Sequence, residues 1–350
     1  MQADWVAATV RGRSMAQRRL GAGACRDLAT RRDLPAAVEA LSDSVYAAEL
    51  ASARTLQDAQ LATRRTVLWQ LRVLAGWLPA SGTPVLRSAA ARFEADNIVS
   101  LSAGLQSGSS LSDGSAAAAA APAANPGTGP AAQAERLAPA GRFEPFQPLE
   151  PFQPFDLGGL ATAWPRLRTA DSPETLQAML AASPWGNPGP ADSMAETLPD
   201  TLTAVWLRRL ASSAPAARPW AVAGAVLMAA RLLLVDASRP TDRQISLLRP
   251  LLGTAWTEAG SLPELALAIS PAAGQVLAEA EDPQELWRAE ARLASRVETD
   301  GFALLRAGLP GPGVILGAVA VLAADAWRVR AALAASASGG GGSEVLDAVA

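Results

Sequence analysis

Leu309–Ala335 reads LPGPGVILGAVAVLAADAWRVRAALAA, and it sets the class of the fold. Pro310 and Pro312 suit the approach to a helix and not its interior. Val314–Ala324 is then a run of eleven residues with no polar side chain, followed by Asp325, Trp327, Arg328 and Arg330. A helix that is apolar all round is enclosed by protein or lipid. Eleven residues fall short of the roughly 20 that cross a bilayer. The first half therefore predicts a buried central helix, and the charged end needs solvent, an ion partner or another protein chain. A second run of the same length, Trp220–Ala230, stops at Arg231 and carries the same implication.

The residue types that are missing exclude whole classes of chemistry. The chain of 350 residues has no His, so no His-based triad and no ordinary zinc site. It has one Cys, Cys25, so no intramolecular disulfide and no cysteine metal cluster. All 30 basic residues are Arg, which removes the P-loop lysine and any Schiff base. The formal net charge of −3 implies no nucleic-acid partner. No catalytic residue, cofactor or metal site is expected. The opening MQADWVAATVRGR has no apolar signal core. The sequence thus predicts a cytoplasmic chain with no direct transmembrane span.

Outward from the central run, the chain reads as helix after helix, and no stretch shows the period-2 alternation of a strand. Residues 5–20 predict one helix, with Trp5, Ala8, Met15 and Ala16 on one side and Arg11 and Arg18 on another. Such a basic face could meet a membrane surface or an acidic partner, or it could simply be solvated. Further helices are predicted from Asp33, over 51–77, 85–105, from Ser172, over 194–213, 220–235, 241–258, 262–269, 272–280 and 283–307. Asp282-Pro283-Gln284-Glu285 has the pattern of a capping box. Residues 107–141 are Ser/Gly and Ala/Pro/Gly-rich and predict disorder, because they cannot bury enough surface to offset their ordering entropy. The tandem Glu144-Pro-Phe-Gln-Pro-Leu149 and Glu150-Pro-Phe-Gln-Pro-Phe155 predicts an extended strap lying on its own domain or on a partner. Gly339–Gly342 predicts a hinge before a short tail helix, Glu344–Ala350.

One motif recurs. Asp33-Leu-Pro…Leu41, Ser172-Pro-Glu…Leu180 and Ser261-Leu-Pro-Glu…Ile269 are each a capped, proline-started short helix. Thr-Ala-Trp precedes the second and third, at 162–164 and 254–256. Each is followed by a more buried helix: Arg92–Leu105, Trp220–Val235 and Val314–Ala335. The expected fold is all-α, with three similar lobes in a pseudo-three-fold arrangement that form a funnel. The expected divisions are lobe 1 (1–106), a low-complexity insert (107–155), lobe 2 (156–240), lobe 3 (241–337) and a hinge with tail (338–350).

With that pattern, the chain resembles the C/d family of V/A-type ATPase proteins, the socket components of rotary motors. The resemblance rests on Trp5-Val-Ala-Ala-Thr-Val-Arg11, on Val45-Tyr46-Ala-Ala-Glu-Leu50, on Glu94-Ala-Asp-Asn97-Ile98 and on Gly313-Val-Ile-Leu…Asp325-Ala-Trp-Arg-Val-Arg330. Thr9 stands where the family has its first Arg, and Trp220–Val235 lacks the family's acidic residue and Asn, with Arg231 in the place of its basic residue. The resemblance implies a non-catalytic socket protein on the cytoplasmic face of the membrane. It would join the proteolipid rotor ring to the central stalk and pass torque for ion transport, with protons the expected ion. Arg11, Glu94, Asn97, Arg231, Asp325 and Arg330 are the candidate socket-wall residues, pairing with one another or facing the stalk; intramolecular ion pairs that fix helix packing are the competing reading.

Two other site readings carry less. Gly311-x-Gly313-x-x-x-Gly317 lacks dinucleotide spacing and a preceding strand, so close helix packing at Gly317 is expected. Glu279, Glu281, Asp282 and Glu285 cluster at a helix start, where acidic residues complement the dipole without any metal. The alternative function is a free-standing helical adaptor that docks a peptide or membrane surface through the Arg-rich first helix. An all-helical prenyl-transfer enzyme would need paired Asp-rich motifs, which the chain lacks.

Overall fold

The computed structural model describes residues 3–107, 153–190, 193–278, 280–340 and Leu346. Among these residues there are helices and turns and no strand. All of the stretch predicted to be disordered except Ser107 (residues 108–141), the Glu144–Leu149 repeat, Glu279 and nearly all of the predicted tail helix lie outside them. Among the described residues, helices of seven residues or more are α1 (Val6–Gln17), α2 (Ala22–Ala29), α3 (Leu34–Ala40), α4 (Leu56–Ala75), α5 (Thr83–Gln106), α6 (Pro173–Ala181), α7 (Met194–Ser213), α8 (Arg218–Ala230), α9 (Asp242–Leu252), α10 (Leu262–Ala268), α11 (Leu286–Arg306) and α12 (Pro312–Ala337).

The apolar run Val314–Ala324 lies in α12, and its burial follows from its composition. α12 packs against α11, α1, α2, α3, α4 and α5. Val314 to Leu322 are buried without interruption. By length and composition α12 and Pro215–Val235 are both apolar enough to cross a membrane; 78% of the apolar window of α12 is buried in protein, which is what makes an all-round apolar surface stable here. Glycine sets the closest approach. A Cβ on Gly317 would lie 2.5 Å from the Gly301 carbonyl oxygen and 2.9 Å from the Leu304 Cβ, so α11 and α12 touch backbone to backbone. The close helix packing expected at Gly317 is found.

Local chemistry sets the helix starts. Asp33, Ser172 and Ser261 each accept a hydrogen bond from the backbone N–H three residues on: Ala36, Thr175 and Glu264. The recurrence extends further than the sequence motif. Ser44 donates to the Leu41 carbonyl and accepts from the Tyr46 N–H; Ser183 donates to the Leu180 carbonyl and accepts from the Trp185 N–H. In both places a capped helix ends in a serine turn that buries an aromatic ring.

Several expected boundaries move. The helix predicted over 5–20 ends at Gln17, and the Gly21 turn leads into α2, where the glycine-rich stretch by itself reads as a plain stop. The helix predicted from residue 51 starts at Leu56, because Thr55 and Asp58 form a reciprocal capping box. At Asp282 the reciprocal bond is different: Asp282 accepts from Gln284, while Glu285 accepts from Glu281. The second buried helix loosens into a π turn over Arg231–Val235, and Ala237 beyond it has φ 47°. Finally, Phe155 belongs to the core and not to the insert. It is buried edge-on to Phe93, with ring centroids 5.2 Å apart. The strap therefore lies on its own domain at its last residues.

Candidate functional site

The candidate site is a pair of buried acidic anchors, each projecting from a core helix onto the backbone of a distant turn. Asp325 on α12 is fully buried. It accepts from the Leu20 N–H at 3.0 Å, the Gly21 N–H at 2.7 Å and the Tyr46 hydroxyl at 2.8 Å. Gly21 precedes the first turn of α2, so the carboxylate serves a helix N-terminus that has no cap of its own. Burial and the Asp325 charge push the Tyr46 phenol well above its usual range. Burial first, and Asp325 second, push the neighbouring Cys25 thiol up to about 12.

Glu94 on α5 does the same for another turn. Its Oε1 accepts from the N–H groups of Thr162, Ala163 and Trp164 at 2.9, 2.6 and 2.6 Å. These residues open the short helix Trp164–Leu167, again uncapped by its own side chain. Arg209 lies over the Trp185 ring at 5.1 Å and donates to the Thr162 hydroxyl at 3.3 Å. Burial pulls the Arg209 guanidinium down, and the Glu94 charge opposes that shift. Tyr46 and Trp185, the rings placed by the two serine turns, thus stand beside Asp325 and beside the arginine that neighbours Glu94.

Asn97 lies one turn beyond Glu94 and reads a backbone edge. Its side-chain amide donates to the Phe155 carbonyl at 3.0 Å and accepts from the Phe155 N–H at 2.7 Å. Asp96 pairs with Arg64, whose guanidinium covers the Phe155 ring at 4.9 Å. Arg65 binds Gln153 and Arg72 binds Asp156, so α4 holds the same segment from outside.

The other candidates go elsewhere. Arg231, at the start of the π turn, pairs with buried Glu290 at 2.5 Å. Arg11 is exposed and lies 6.0 Å over the Trp77 ring. Arg330 sits half-buried at the far end of α12. Glu94 and Asn97 thus share one region around 153–164, whereas Asp325, Arg231 and Arg11 occupy three others. Glu94, Asn97, Asp325 and Arg231 each bond to other parts of this chain. The i, i+3 spacing of Asp325 and Arg328 does not make a pair: Arg328 binds Glu298 at 2.6 Å, and Arg19 joins the same carboxylate at 3.4 Å. Glu298, Glu290 and Arg209 leave no mark in the sequence, because each sits in an ordinary amphipathic helix pattern.

One further group is perturbed. Burial raises the Asp200 carboxyl to about 6; the Asp236 charge adds to the rise and Arg231 opposes it. Arg231 opens the π turn that follows α8, and Asp236 closes it. Comparison of the chain with protein-family models and with curated proteins finds no match.

Proposed function

We propose that the protein is a non-catalytic socket component of a V/A-type rotary ATPase, joining a membrane rotor ring to a central stalk. The observation that supports this reading most is the repeated anchor. A carboxylate from one core helix, Asp325 or Glu94, holds the uncapped helix start of another part of the chain, Leu20–Gly21 or Thr162–Trp164. Linked this way, successive helical units become a stiff body, and torque transmission needs stiffness and shape, not reactive side chains. The three similar caps at Asp33, Ser172 and Ser261 support three related lobes arranged as a funnel. The remaining core helix, residues 218–235, has no acidic residue, and Arg231–Glu290 serves there instead.

Affinity purification of the full chain from its native membranes, in a mild detergent that keeps complexes whole, tests the reading. Recovery of a proteolipid ring protein together with a central-stalk protein supports it; a chain that elutes without both overturns it. The adaptor reading is favoured by the exposed apolar and basic face of α1, and it predicts recovery without rotary-motor proteins.

A further inference from the structure

Four large apolar side chains leave one side of the molecule uncovered among the described residues: Val6 is 48% exposed, Val10 63%, Trp77 51% and Leu309 67%. The placement of α1 brings them together. Ala8, Thr9, Gly12, Met15 and Ala16 form its buried face, and a Cβ on Gly12 would meet the Ala318 Cβ at 3.2 Å. Val6 and Val10, one turn apart, therefore stand on the opposite ridge. On one flank Arg11 stacks over Trp77. On the other, Arg13 donates to the carbonyls of Leu305 at 3.0 Å and Gly308 at 3.4 Å, which puts Leu309 beside the ridge. Arg18 is exposed two turns beyond Arg11 on the Trp77 side. Arg11 and Arg18 are the exposed guanidiniums on that flank, and the segment that holds them is basic along the sequence, with seven Arg against Asp4 and Asp27 in residues 1–32.

We infer that the α1 ridge, with Trp77 and Leu309 at its flanks, docks on an anionic phospholipid surface. A convex ridge of aliphatic side chains with an indole and guanidinium groups beside it matches the layering of a bilayer interface: apolar groups sink to the acyl boundary, the indole lies at headgroup depth, and arginines meet phosphates. The exposed guanidiniums of Arg11 and Arg18 supply charge complementarity to an anionic leaflet. A peptide partner would instead call for a groove to receive its side chains. The inference stands apart from the socket reading, because it requires lipid and no ring.

The test is co-sedimentation of the full chain with phosphatidylcholine vesicles that contain or lack phosphatidylglycerol. Binding is expected only to the anionic vesicles, and it weakens in 1 M salt, where the Debye length falls to about 3 Å. Arg11→Gln with Arg18→Gln lowers the partition coefficient about thirtyfold, from about fivefold per arginine. Val10→Ser with Trp77→Ala lowers it about tenfold. Leu267→Asp, on α10 and 86% exposed, leaves it unchanged. Circular dichroism confirms that each variant is folded; all five positions are on the surface, and each single substitution is measured alongside the doubles. Absence of binding to phosphatidylglycerol vesicles overturns the inference, as does equal loss in Leu267→Asp or full binding by Val10→Ser with Trp77→Ala. A ridge-dependent association with a protein in place of vesicles also overturns it. Because the vesicles hold no protein, these results are independent of ring recovery in the purification.

Discussion

Asp325 holds the backbone of Gly21 at 2.7 Å across 304 residues of chain. The first helix thus ends where the last one permits. The carboxylate is out of water, and its stability depends on the three donors that face it. Asp325→Ala leaves two backbone N–H groups and the Tyr46 hydroxyl buried without an acceptor. A loss of about 3–5 kcal/mol is expected in urea denaturation. Asp325→Asn keeps one acceptor oxygen and loses about half of that. A loss under about 1 kcal/mol for the alanine variant would show that water replaces the anchor.

Asn97 matches the Phe155 backbone as a peptide group would, one donor and one acceptor on one edge. Asn97→Asp puts a carboxylate oxygen against the Phe155 carbonyl and costs about 2–4 kcal/mol. The segment 153–157 then opens before the rest of the fold. Limited proteolysis reads this as cleavage there ahead of global unfolding; Phe155→Ala, which empties the same pocket at about 3–5 kcal/mol, gives the same first cut. Cleavage elsewhere first counts against a local role for Asn97.

Gly317 and Gly311 lie on the same stretch and answer differently to alanine. A Cβ at Gly317 meets the Gly301 carbonyl oxygen at 2.5 Å, whereas a Cβ at Gly311 meets nothing within 4 Å. Gly317→Ala forces α11 and α12 apart and destabilises by about 2–3 kcal/mol. Gly311→Ala stays within about 0.5 kcal/mol of the parent. Thermal melts of both variants decide; equal effects contradict the backbone contact between the two helices.

Asp200 gives the fold a stability component that grows toward acid pH. Its folded carboxyl is raised to about 6 from an ordinary value of 3.8, so the folded state binds the proton first as pH falls. The charged form costs stability above pH 6; that cost disappears as pH falls from about 6 to about 4. Asp200→Asn removes it and stabilises the protein at pH 8 by on the order of 1–3 kcal/mol, with little change at pH 4. Urea midpoints of both proteins across that range test this. An Asp200→Asn variant less stable at pH 8 contradicts it.

Much of the secondary structure is legible from short-range chemistry. Asp33, Ser172 and Ser261 cap helices because each has an acceptor side chain and a proline at the right distance, and a cap involves only neighbours in the chain. The eleven-residue runs are legible because an all-round apolar helix has one place to go. The π turn after Ala230 is not, since its surroundings include the charges of Arg231, Asp236, Asp200 and Glu290, three of which come from other stretches of chain or lie beyond the helix. Among the candidate site residues, Glu94, Asn97 and Asp325 stand out as polar groups inside apolar helices. What each binds is hidden, because a hydrogen-bond partner 58 to 305 residues away leaves no spacing to read.

The sequence by itself determined the helical class, the capped starts at Asp33, Ser172 and Ser261 and the burial of Val314–Leu322, since these follow from propensity, capping and the exclusion of apolar surface from water. Tertiary structure alone decided the pairings. Asp325 took Leu20, Gly21 and Tyr46 in place of Arg328, and Arg328 took Glu298, because a buried charge goes to whichever donors or counter-charges the packing brings within reach. Packing is settled by the whole set of helices at once, and no single stretch of the chain contains it.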